Sequence, residues 1–279
     1  MRTVVVTGAG PDSLGLATAV ALRDLGWRVL VSTRTEPVEG FAWHPLDLAS
    51  AASVAAYADW VTATTDRLDV LVNAGIHLDL RSTWTEAPLV DGHEIHWRTN
   101  YLGTAHLTRL LLPSLVTTAQ RYDEARVVHV VSKLHERGTN EALFAGVHPY
   151  RSWVAYGTSK LALVHDAVSL TERHGGEGLR GYAVHPGAVF TKVADRGLET
   201  SPVLGRLRRL GRPLERRMLL TPEQGARTSV RCATEPALAP GYYSDGTAAS
   251  PSPAAGDAAA RTRLWDETTD WVAGQRPTA

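Results

Sequence analysis

Short runs of apolar, largely β-branched residues alternate with segments of helical periodicity along almost the whole chain. The first unit joins an apolar run at residues 3–7 to a helical pattern at 14–25 and a second apolar run at 28–32. A strand, a helix and a second strand in that order form a βαβ unit, which predicts a parallel sheet. Because the runs are continuously apolar, helices are expected on both faces of the sheet. The alternation therefore predicts a doubly wound α/β fold.

The same pattern continues to the C-terminus with two interruptions. Further helices are predicted at residues 51–63, 91–115, 150–172 and after Thr221, and further strands at 68–72, 126–131, 179–184 and 241–243. Residues 191–221 are rich in arginine with spaced leucines, and we interpret them as a surface helix or a lid over a site. Residues 248–256 predict a linker, followed by a final amphipathic helix that ends near residue 273. We therefore expect a single domain over residues 1–279.

Composition narrows the class of protein. A chain of 279 residues that is 44% apolar can bury one large core, and its 29 basic side chains are balanced by 29 acidic ones. This neutral balance gives no general attraction to nucleic acid or anionic lipid. The single cysteine, Cys232, excludes a disulfide framework and fits a reducing cytoplasm. Since no apolar run reaches the ~18 residues that span a bilayer, we expect a soluble, unprocessed cytoplasmic protein.

A glycine-bearing sequence, TGAGPDSLG, follows the first apolar run and opens the first helix. In that position glycines let backbone amides approach a pyrophosphate, and the helix N-terminus attracts its negative charge. The predicted cofactor contacts are therefore Gly8, Gly10, Ser13, Leu14 and Gly15. The alternative is that the glycines only form a tight turn between strand and helix.

The end of the second strand bears on the choice of cofactor. A dinucleotide site that prefers NAD usually carries an acidic residue there, and one that prefers NADP carries an arginine. This strand is followed by Thr33 and Arg34, and the first acidic residue is Glu36. A guanidinium fork suits a 2′-phosphate, so NADP is predicted, with NAD possible. The alternative is a solvated surface arginine.

Tyr156 and Lys160 are four residues apart in the sequence YGTSK. On a helix this spacing places the phenol and the ammonium on one face. An adjacent ammonium and the positive ring of an oxidised nicotinamide stabilise a phenolate, so the tyrosine could exchange a proton near neutral pH. Ser132 ends another predicted strand, where the carboxyl ends of parallel strands line a ligand crevice. Its hydroxyl is predicted to hold a substrate oxygen beside Tyr156.

Together these motifs resemble the short-chain dehydrogenase/reductase family over residues 3–274. The C-terminal part resembles its retinol-dehydrogenase-like and WW-domain-oxidoreductase-like branch, which usually handles apolar alcohols and carbonyls with NADP. The resemblance implies a Rossmann fold with a seven-stranded parallel sheet. It also implies a catalytic set in which Lys160 additionally holds the nicotinamide ribose and the asparagine organises a water relay: Asn100, Ser132, Tyr156 and Lys160.

Further cofactor contacts follow from the same resemblance. Asp47 and Leu48 match the adenine-contacting position, and the sequence NAG supports the centre of the sheet. The sequence HPGAVFT matches the loop that touches nicotinamide, which gives the remaining contacts: Asn73, Ala74, Gly75, Pro186, Gly187, Val189 and Thr191. The chain departs from the family pattern in a glycine turn one residue longer, with Ser13 at its middle glycine. It also carries one asparagine before Ala74 where the family usually has two.

Other residues suggest secondary roles. His135 and Trp153 are expected to line a substrate pocket, the alternatives being a solvated loop histidine and a packing tryptophan. The sequence HEIH at residues 93–96 lacks the histidine spacing of zinc proteases, so no metal is predicted. The arginines at 206–217 are expected on a solvated helix, with an anionic substrate or a membrane face as alternatives. The family resemblance also implies a homodimer or homotetramer that pairs the long helices 91–115 and 150–172 between subunits.

The function expected from these residues is that of an NADP-dependent carbonyl reductase or alcohol dehydrogenase acting on an apolar small molecule. Two alternatives stay open. One is a non-redox member of the same family, such as a dehydratase, epimerase or cyclase. The other is a protein that binds NADP without catalysis.

Overall fold

The computed structural model describes residues 1–36, 38–78, 86–187 and 219–275. None of the helices in these ranges combines the length and apolar character needed to cross a bilayer. In chain order the elements are β1 (Thr3–Val6), α1 (Leu14–Asp24), β2 (Arg28–Val31), β3 (Ala42–Trp43), α2 (Ala51–Thr64), β4 (Val70–Asn73), β5 (Leu89–Val90), β6 (His93–Glu94), a π-helical turn (Trp97–Gly103), α3 (Thr104–Tyr122), β7 (Ala125–Val130), a 3₁₀ turn (Lys133–Arg137), α4 (Asn140–Ala145), α5 (Ser152–His174), β8 (Leu179–His185), α6 (Pro222–Thr234), β9 (Gly241–Ser244), β10 (Thr247–Ala248) and α7 (Ala258–Gly274).

The main sheet has eight strands among the described residues, in the order β10-β9-β8-β7-β4-β1-β2-β3. Every pair from β3 to β9 in this order is parallel, and the two-residue β10 pairs antiparallel with β9. The large parallel sheet expected from the sequence is therefore confirmed, with β10 added at one edge. Strand β3 was not predicted, because two residues are too short to give a periodic signal.

Both faces of the sheet are buried, which confirms the doubly wound arrangement. In β1, Val5 packs with residues of α2 and α3, whereas Val4 and Val6 pack on the other face with residues of α1 and α6. Successive side chains of a strand point to opposite faces. A strand covered on both sides must therefore be apolar at every position, as the sequence of β1 is.

One predicted helix differs from the structure. The residues expected to form a single helix over 91–115 instead form the hairpin β5–β6, a π-helical turn and then α3. Asp91 and Gly92 connect the hairpin with φ angles of 51° and 76°. An Asp-Gly pair with both residues at positive φ is a strong two-residue hairpin signal. Helical periodicity follows Gly92, and this longer pattern predicts a helix across the two turn residues.

The C-terminal helix α7 packs on α3 and α5. Arg261 forms two hydrogen bonds with the Glu172 carboxylate, at 2.9 and 2.7 Å. The Tyr101 and Thr268 hydroxyls lie 2.7 Å apart, and the Trp265 ring lies 3.5 Å beneath a guanidinium of α3. The two helices expected to pair between subunits thus also contact the chain's own last helix. A homodimer or homotetramer remains a prediction.

Candidate active site

The turns that carry the predicted site residues follow β1, β4, β7 and β8, so they meet at the carboxyl edge of the sheet. Between β1 and β4 the strand order reverses direction, because β1 continues to β2 on one side while β4 lies on the other. Ligands of open α/β sheets bind in the crevice at such a reversal.

Gly8 and Gly15 are required by the packing of the first turn. Gly8 has a φ of +69°, and a Cβ added there would lie 2.6 Å from the Cα of Gly75. A Cβ on Gly15 would lie 2.5 Å from the carbonyl oxygen of Gly8. Both distances are shorter than any van der Waals contact, so only glycine fits. Gly10 differs, because a Cβ there would meet no atom within 4 Å. This open position faces outward from the turn.

Ser13, at the family's middle glycine, is the N-cap of α1. Its hydroxyl donates a hydrogen bond to the Gly8 carbonyl (2.9 Å) and accepts one from the amide of Leu16 (3.0 Å). The serine therefore closes the lengthened turn and fixes the helix start at Leu14. A helix N-terminus preceded by a glycine turn suits a pyrophosphate. The longer turn thus retains the features that fit a dinucleotide.

The turn after β4 is tied to the end of β1. The Thr7 hydroxyl accepts hydrogen bonds from the amides of Ala74 (3.1 Å) and Gly75 (2.9 Å). The Asn73 amide nitrogen donates to the Thr108 hydroxyl (3.1 Å) and lies 3.2 Å from Nδ1 of His129. Asn73 is also buried. Its side chain therefore connects β4 to α3 and β7. Thr7, Thr108 and His129 were not predicted, since no local motif marks them.

The predicted adenosine-contacting residues lie in adjacent segments, because the Leu46 amide donates to the Thr33 carbonyl at 2.8 Å. Arg34 is exposed just beyond β2. Asp47 is exposed too, and its carboxylate accepts a hydrogen bond from the Ala49 amide at 2.9 Å. Leu48 is buried, and its side chain would lie 3.0 Å from a Cβ built on Gly75. Residues 47–48 and 73–75, which the sequence assigns to the cofactor, are therefore adjacent.

Arg98 supports the same region and was not predicted. Its side chain is fully buried, and Nη1 donates to the carbonyl of Leu48 at 3.1 Å. Gly103 packs against the same carbonyl, since a Cβ there would overlap it at 2.0 Å. Residues of the π-helical turn thus fix the backbone at the adenine-contacting position.

Tyr156, Lys160 and Ser132 come together beside this crevice. Tyr156 and Lys160 are 5% and 1% exposed on α5, and the Lys160 Nζ lies 5.7 Å from the centre of the Tyr156 ring. Nζ also donates to the carbonyl of Val130 at 2.9 Å, two residues before Ser132. The Ser132 side chain lies near the Tyr156 hydroxyl and acts to lower the pKa of the phenol. The structure therefore brings together three of the four predicted catalytic side chains.

Burial shifts the pKa values of both Tyr156 and Lys160. Burial raises the pKa of Tyr156, and the Ser132 side chain acts in the opposite direction. Burial also lowers the pKa of Lys160 to about 7, because the charged ammonium loses hydration. The protein alone thus favours a protonated phenol. A phenolate requires the charged form of Lys160 or another positive group beside the ring.

Asn100 lies in the π-helical turn and is fully buried. Its Oδ1 accepts from the His77 amide (2.6 Å), and its Nδ2 donates to the His77 carbonyl (2.9 Å) and lies 3.4 Å from the Ser159 hydroxyl. Among its described contacts none reaches Lys160. The side chain therefore ties the segment after β4 to α5. π-Helical turns are frequent at functional sites.

The sequence assigns His135 to the substrate pocket, and this contact stays a prediction. His135 is fully buried, its Nδ1 donates to the carbonyl of Ser132 (2.8 Å), and its Nε2 accepts from the amide of Ser252 (3.0 Å). Both ring nitrogens are therefore occupied by backbone groups. Trp153 is half-buried one turn before Tyr156, with the Arg137 guanidinium 5.7 Å from its ring.

The loop after β8 begins with Pro186 and Gly187. Gly187 has a φ of +82°, and a Cβ there would lie 2.6 Å from the carboxylate of Asp245. A glycine is thus needed at this turn. The predicted contacts Val189 and Thr191, the arginines 206–217 and nearly all of the predicted lid lie outside the described residues.

The comparisons with known proteins agree with this arrangement. The family model for short chain dehydrogenases matches residues 2–201. The bovine protein "Dehydrogenase/reductase SDR family member 13" is 37% identical over 99% of this chain and 74% of its own length. Mouse polyprenol dehydrogenase is 35% identical, covering 95% of this chain and 82% of its own, and mouse retinol dehydrogenase 13 is 32% identical, covering 97% and 84%.

Solved structures show the same fold. A Brucella melitensis 3-ketoacyl-(acyl-carrier-protein) reductase complexed with NADH has a TM-score of 0.66 at 18% identity, covering 87% of this chain and 96% of its own. The RhlG/NADP active-site complex of Pseudomonas aeruginosa has a TM-score of 0.65 at 23% identity, covering 88% and 95%. The chain belongs to the short-chain dehydrogenase/reductase family, in its retinol-dehydrogenase-like branch, and is an oxidoreductase acting on CH–OH or C=O groups.

Proposed function

We propose that this protein is an NADP(H)-dependent carbonyl reductase or alcohol dehydrogenase whose substrate is an apolar aldehyde, ketone or alcohol. The observation that carries the proposal is the meeting of Tyr156, Lys160 and Ser132 beside the glycine turn after β1. Tyr156 and Lys160 are buried and Ser132 is half-buried, so a substrate oxygen placed there would be partly screened from water. Proton transfer between positioned groups is efficient in such a setting.

The chain's own residues would handle the proton. A nicotinamide, when bound, supplies the hydride in reduction and accepts it in oxidation. In reduction the Ser132 hydroxyl holds the substrate oxygen, and the Tyr156 phenol donates its proton to that oxygen as it becomes an alcohol. Burial keeps the phenol protonated for this step. In oxidation Tyr156 accepts the alcohol proton, and the charged form of Lys160 stabilises the resulting phenolate.

Residues around the glycine turn would bind the cofactor. The turn at Gly8 and Gly10 and the first turn of α1 would hold the pyrophosphate, and Leu48 and Gly75 would border the adenine. Tyr156 and Lys160 would contact the nicotinamide ribose, while Pro186 and Gly187 would lie near its ring. The same proposal includes six further cofactor contacts that the sequence predicts: Ser13, Asp47, Asn73, Ala74, Val189 and Thr191. Asn100 acts as a positioning residue through His77 and Ser159, and its water relay stays a prediction.

The preference for NADP rests on Arg34, which is exposed directly beyond β2. An Arg34→Ala variant should raise the Kd for NADPH about tenfold or more, because a charge-assisted contact with the 2′-phosphate would be lost. The Kd for NADH should change little. Arg23→Ala, an exposed arginine that pairs with Asp24 at the end of α1, is the matched control. Equal weakening of both cofactors would contradict the NADP preference.

The apolar substrate is supported by the names of the relatives, which include retinol and polyprenol dehydrogenases. Among the pocket residues, Ser132 and Tyr156 are proposed to contact the substrate oxygen. Trp153, one turn before Tyr156, is proposed to line the pocket. We also propose a cytoplasmic location, supported only by the single, buried Cys232.

The function is tested with decanal, acetophenone and all-trans-retinal by following NADPH absorbance. Tyr156→Phe should lower kcat by at least a thousandfold, while Tyr122→Phe, a phenol at the opposite edge of the sheet, should leave it unchanged. Product alcohol must equal the NADPH consumed. A product other than the alcohol, formed with no NADPH consumed, would instead indicate a dehydratase, epimerase or cyclase. Tight NADPH binding without turnover or isotope exchange would indicate a non-catalytic binding protein.

A further inference from the structure

A buried imidazole packs against the ring of the tyrosine at the centre of the site. His96 is fully buried, and its ring centre lies 5.8 Å from that of Tyr156 with the planes at 81°. This is the edge-to-face geometry that aromatic rings prefer, and it restricts the orientation of both. The contact lies on the phenol ring itself. It is thus separate from the Ser132 side chain near the Tyr156 hydroxyl.

A carboxylate holds the imidazole in place. Nδ1 of His96 donates to Oε1 of Glu94 at 2.7 Å, and the same oxygen accepts from the Tyr150 hydroxyl at 3.0 Å. The second oxygen, Oε2, accepts from the amide of Trp97 at 2.8 Å. Both oxygens are therefore engaged, so the carboxylate cannot turn without losing a bond. Burial acts to raise the pKa of Glu94, but the hydrogen bonds from His96 and from the Trp97 amide lower it overall, which keeps the carboxylate ionised.

The sequence folds this way because Glu94 ends the hairpin β5–β6 and Trp97 begins the π-helical turn. By accepting the Trp97 amide, Glu94 satisfies a backbone donor at the start of that turn, as a helix cap does. His96 lies between them and is thus held at both ends. The HEIH sequence is explained by this arrangement: His93 faces Trp271, with ring centres 6.1 Å apart, while His96 faces Tyr156.

The contacts around Tyr156 form a closed series that leads from its side chain back to its own backbone. His96 lies 5.4 Å, centre to centre, from the ring of His77, whose backbone is held by Asn100. The Asn100 amide reaches Ser159, and the Ser159 hydroxyl donates to the carbonyl of Tyr156 at 2.7 Å. Backbone and side chain of Tyr156 are thus fixed by the same π-helical region. Pre-organised side chains of this kind reduce the cost of reaching the reactive geometry.

We propose that Glu94 and His96 are positioning residues for Tyr156: the carboxylate holds the imidazole, and the imidazole holds the phenol ring with its hydroxyl at Ser132. The inference rests on the proposed function, since it assigns the pair a role in the proton transfer by Tyr156. Neither residue touches the substrate oxygen in this scheme. Their loss should therefore lower kcat while leaving substrate and cofactor affinities nearly unchanged.

Histidine 96 is tested first, with decanal and NADPH as probes. His96→Ala should lower kcat at least tenfold with KM and the NADPH Kd changed less than threefold. His96→Phe restores a ring edge without the Glu94 bond, so it should recover part of the lost kcat. The control is His106→Ala, because His106 is a buried imidazole with the same edge-on geometry against Trp271, 5.9 Å and 86°. It should keep kcat within twofold at a comparable loss of melting temperature.

The carboxylate is tested in a double-mutant cycle. Glu94→Ala removes both acceptor oxygens, so it loses the His96 and the Trp97 contacts, and it should lower kcat about threefold or more. In the His96→Ala background the same substitution should have no further effect on kcat, because Glu94 acts through the imidazole. Two groups that act through one another show such non-additivity. Additive losses would overturn the coupling.

The outcomes separate this inference from the proposed function. If Tyr156→Phe is as active as the wild type, the proposed function fails and the positioning role fails with it. If Tyr156→Phe is inactive but His96→Ala retains the kcat of His106→Ala, the proposed function stands and the positioning role alone is overturned. A His96→Ala variant that loses affinity and kcat in equal proportion also contradicts it.

Discussion

The ammonium nitrogen of Lys160 donates a hydrogen bond to the carbonyl oxygen of Val130 at 2.9 Å. This bond attaches the middle of α5 to the last residue of β7, immediately before the segment that carries Ser132. It also accounts for the ability of the fold to bury an amine at 1% exposure. The amine is placed by a backbone group, so the relation of Tyr156, Lys160 and Ser132 is set by the packing of one helix on one strand.

Burial of this amine makes the stability of the protein depend on pH. The pKa of Lys160 is lowered to about 7 in the folded protein from an ordinary value of 10.5. Between these values the unfolded chain binds more protons, so the contribution of Lys160 to stability rises with pH. Lys160→Met removes the cost of burying the charge. We expect the variant to gain roughly 2–4 kcal/mol relative to wild type at pH 6 compared with pH 10.

Urea unfolding of both proteins at pH 6, 8 and 10 measures this difference. The lost bond to Val130 lowers the stability of the variant at every pH, so only the change of the difference with pH is diagnostic. A constant difference between variant and wild type across the series would contradict the lowered pKa.

Two glycines of the first turn, Gly8 and Gly10, should differ in role: Gly8 should support stability and Gly10 should support cofactor binding. At Gly8 a Cβ meets Gly75 at 2.6 Å and φ is positive, so Gly8→Ala should destabilise the protein by roughly 2–4 kcal/mol. At Gly10 a Cβ meets nothing within 4 Å, so Gly10→Ala should keep the melting temperature. If the open side of the turn holds the pyrophosphate, Gly10→Ala should still raise the Kd for NADPH about threefold or more.

Thermal melts and fluorescence titration with NADPH separate these effects. A Gly10→Ala variant with unchanged affinity would show that the pyrophosphate does not approach this position. Gly8→Ala with wild-type stability would mean that the turn can move away from Gly75.

The sequence predicts the parts of this molecule that local patterns encode. Continuous apolar runs located the central strands, because strands buried on both faces admit few polar residues. The four-residue spacing of Tyr156 and Lys160 placed both on α5, since the helix period fixes which residues share a face. The position of Ser132 followed from the end of β7. These features required no knowledge of distant contacts.

Other parts depend on contacts between distant segments and could not be read from the sequence. The bond of His135 to the amide of Ser252, 117 residues away, is one example. The HEIH motif suggests only a metal-binding role for His96, because its contact with Tyr156 depends on the hairpin returning onto α5. The role of Ser13 as a helix cap was also missed, although a serine at a helix start carries that signal. Asp91-Gly92 carried a hairpin signal that the helical pattern obscured.

Trp265 should contribute strongly to stability. It lies on α7 with guanidinium groups of Arg109 and Arg173 at 3.5 and 4.9 Å from its ring, and it is 9% exposed. Trp265→Ala should cost roughly 3–5 kcal/mol, because both the apolar contacts on α3 and the cation–π contacts are lost. Trp265→Phe keeps a smaller ring face and should cost less. Urea unfolding measures both, and equal losses would contradict the contribution of the ring face.

Asp166, on α5, is the centre of a buried polar network that joins α5 to α3 and β7. Its carboxylate accepts from Arg109 at 2.5 Å and from Nε2 of His129 at 3.0 Å, and it is 2% exposed. The Arg109 and His129 partners hold the pKa of Asp166 well below its usual range despite burial. Asp166→Asn keeps the shape but leaves the buried guanidinium of Arg109 without its counter-charge. We expect a loss of roughly 3 kcal/mol at pH 7 by urea unfolding.

The pH dependence of that loss is a second check. A carboxyl with a lowered folded-state pKa stabilises the protein above its unfolded pKa of about 4, and this contribution is lost as the pH falls. The difference between wild type and Asp166→Asn should therefore shrink between pH 5 and pH 3. Asp24→Asn, whose exposed carboxylate pairs with Arg23 at 3.1 Å, should change stability by less than about 0.5 kcal/mol at either pH. An Asp166→Asn variant as stable as the wild type at pH 7 would contradict the role of the network.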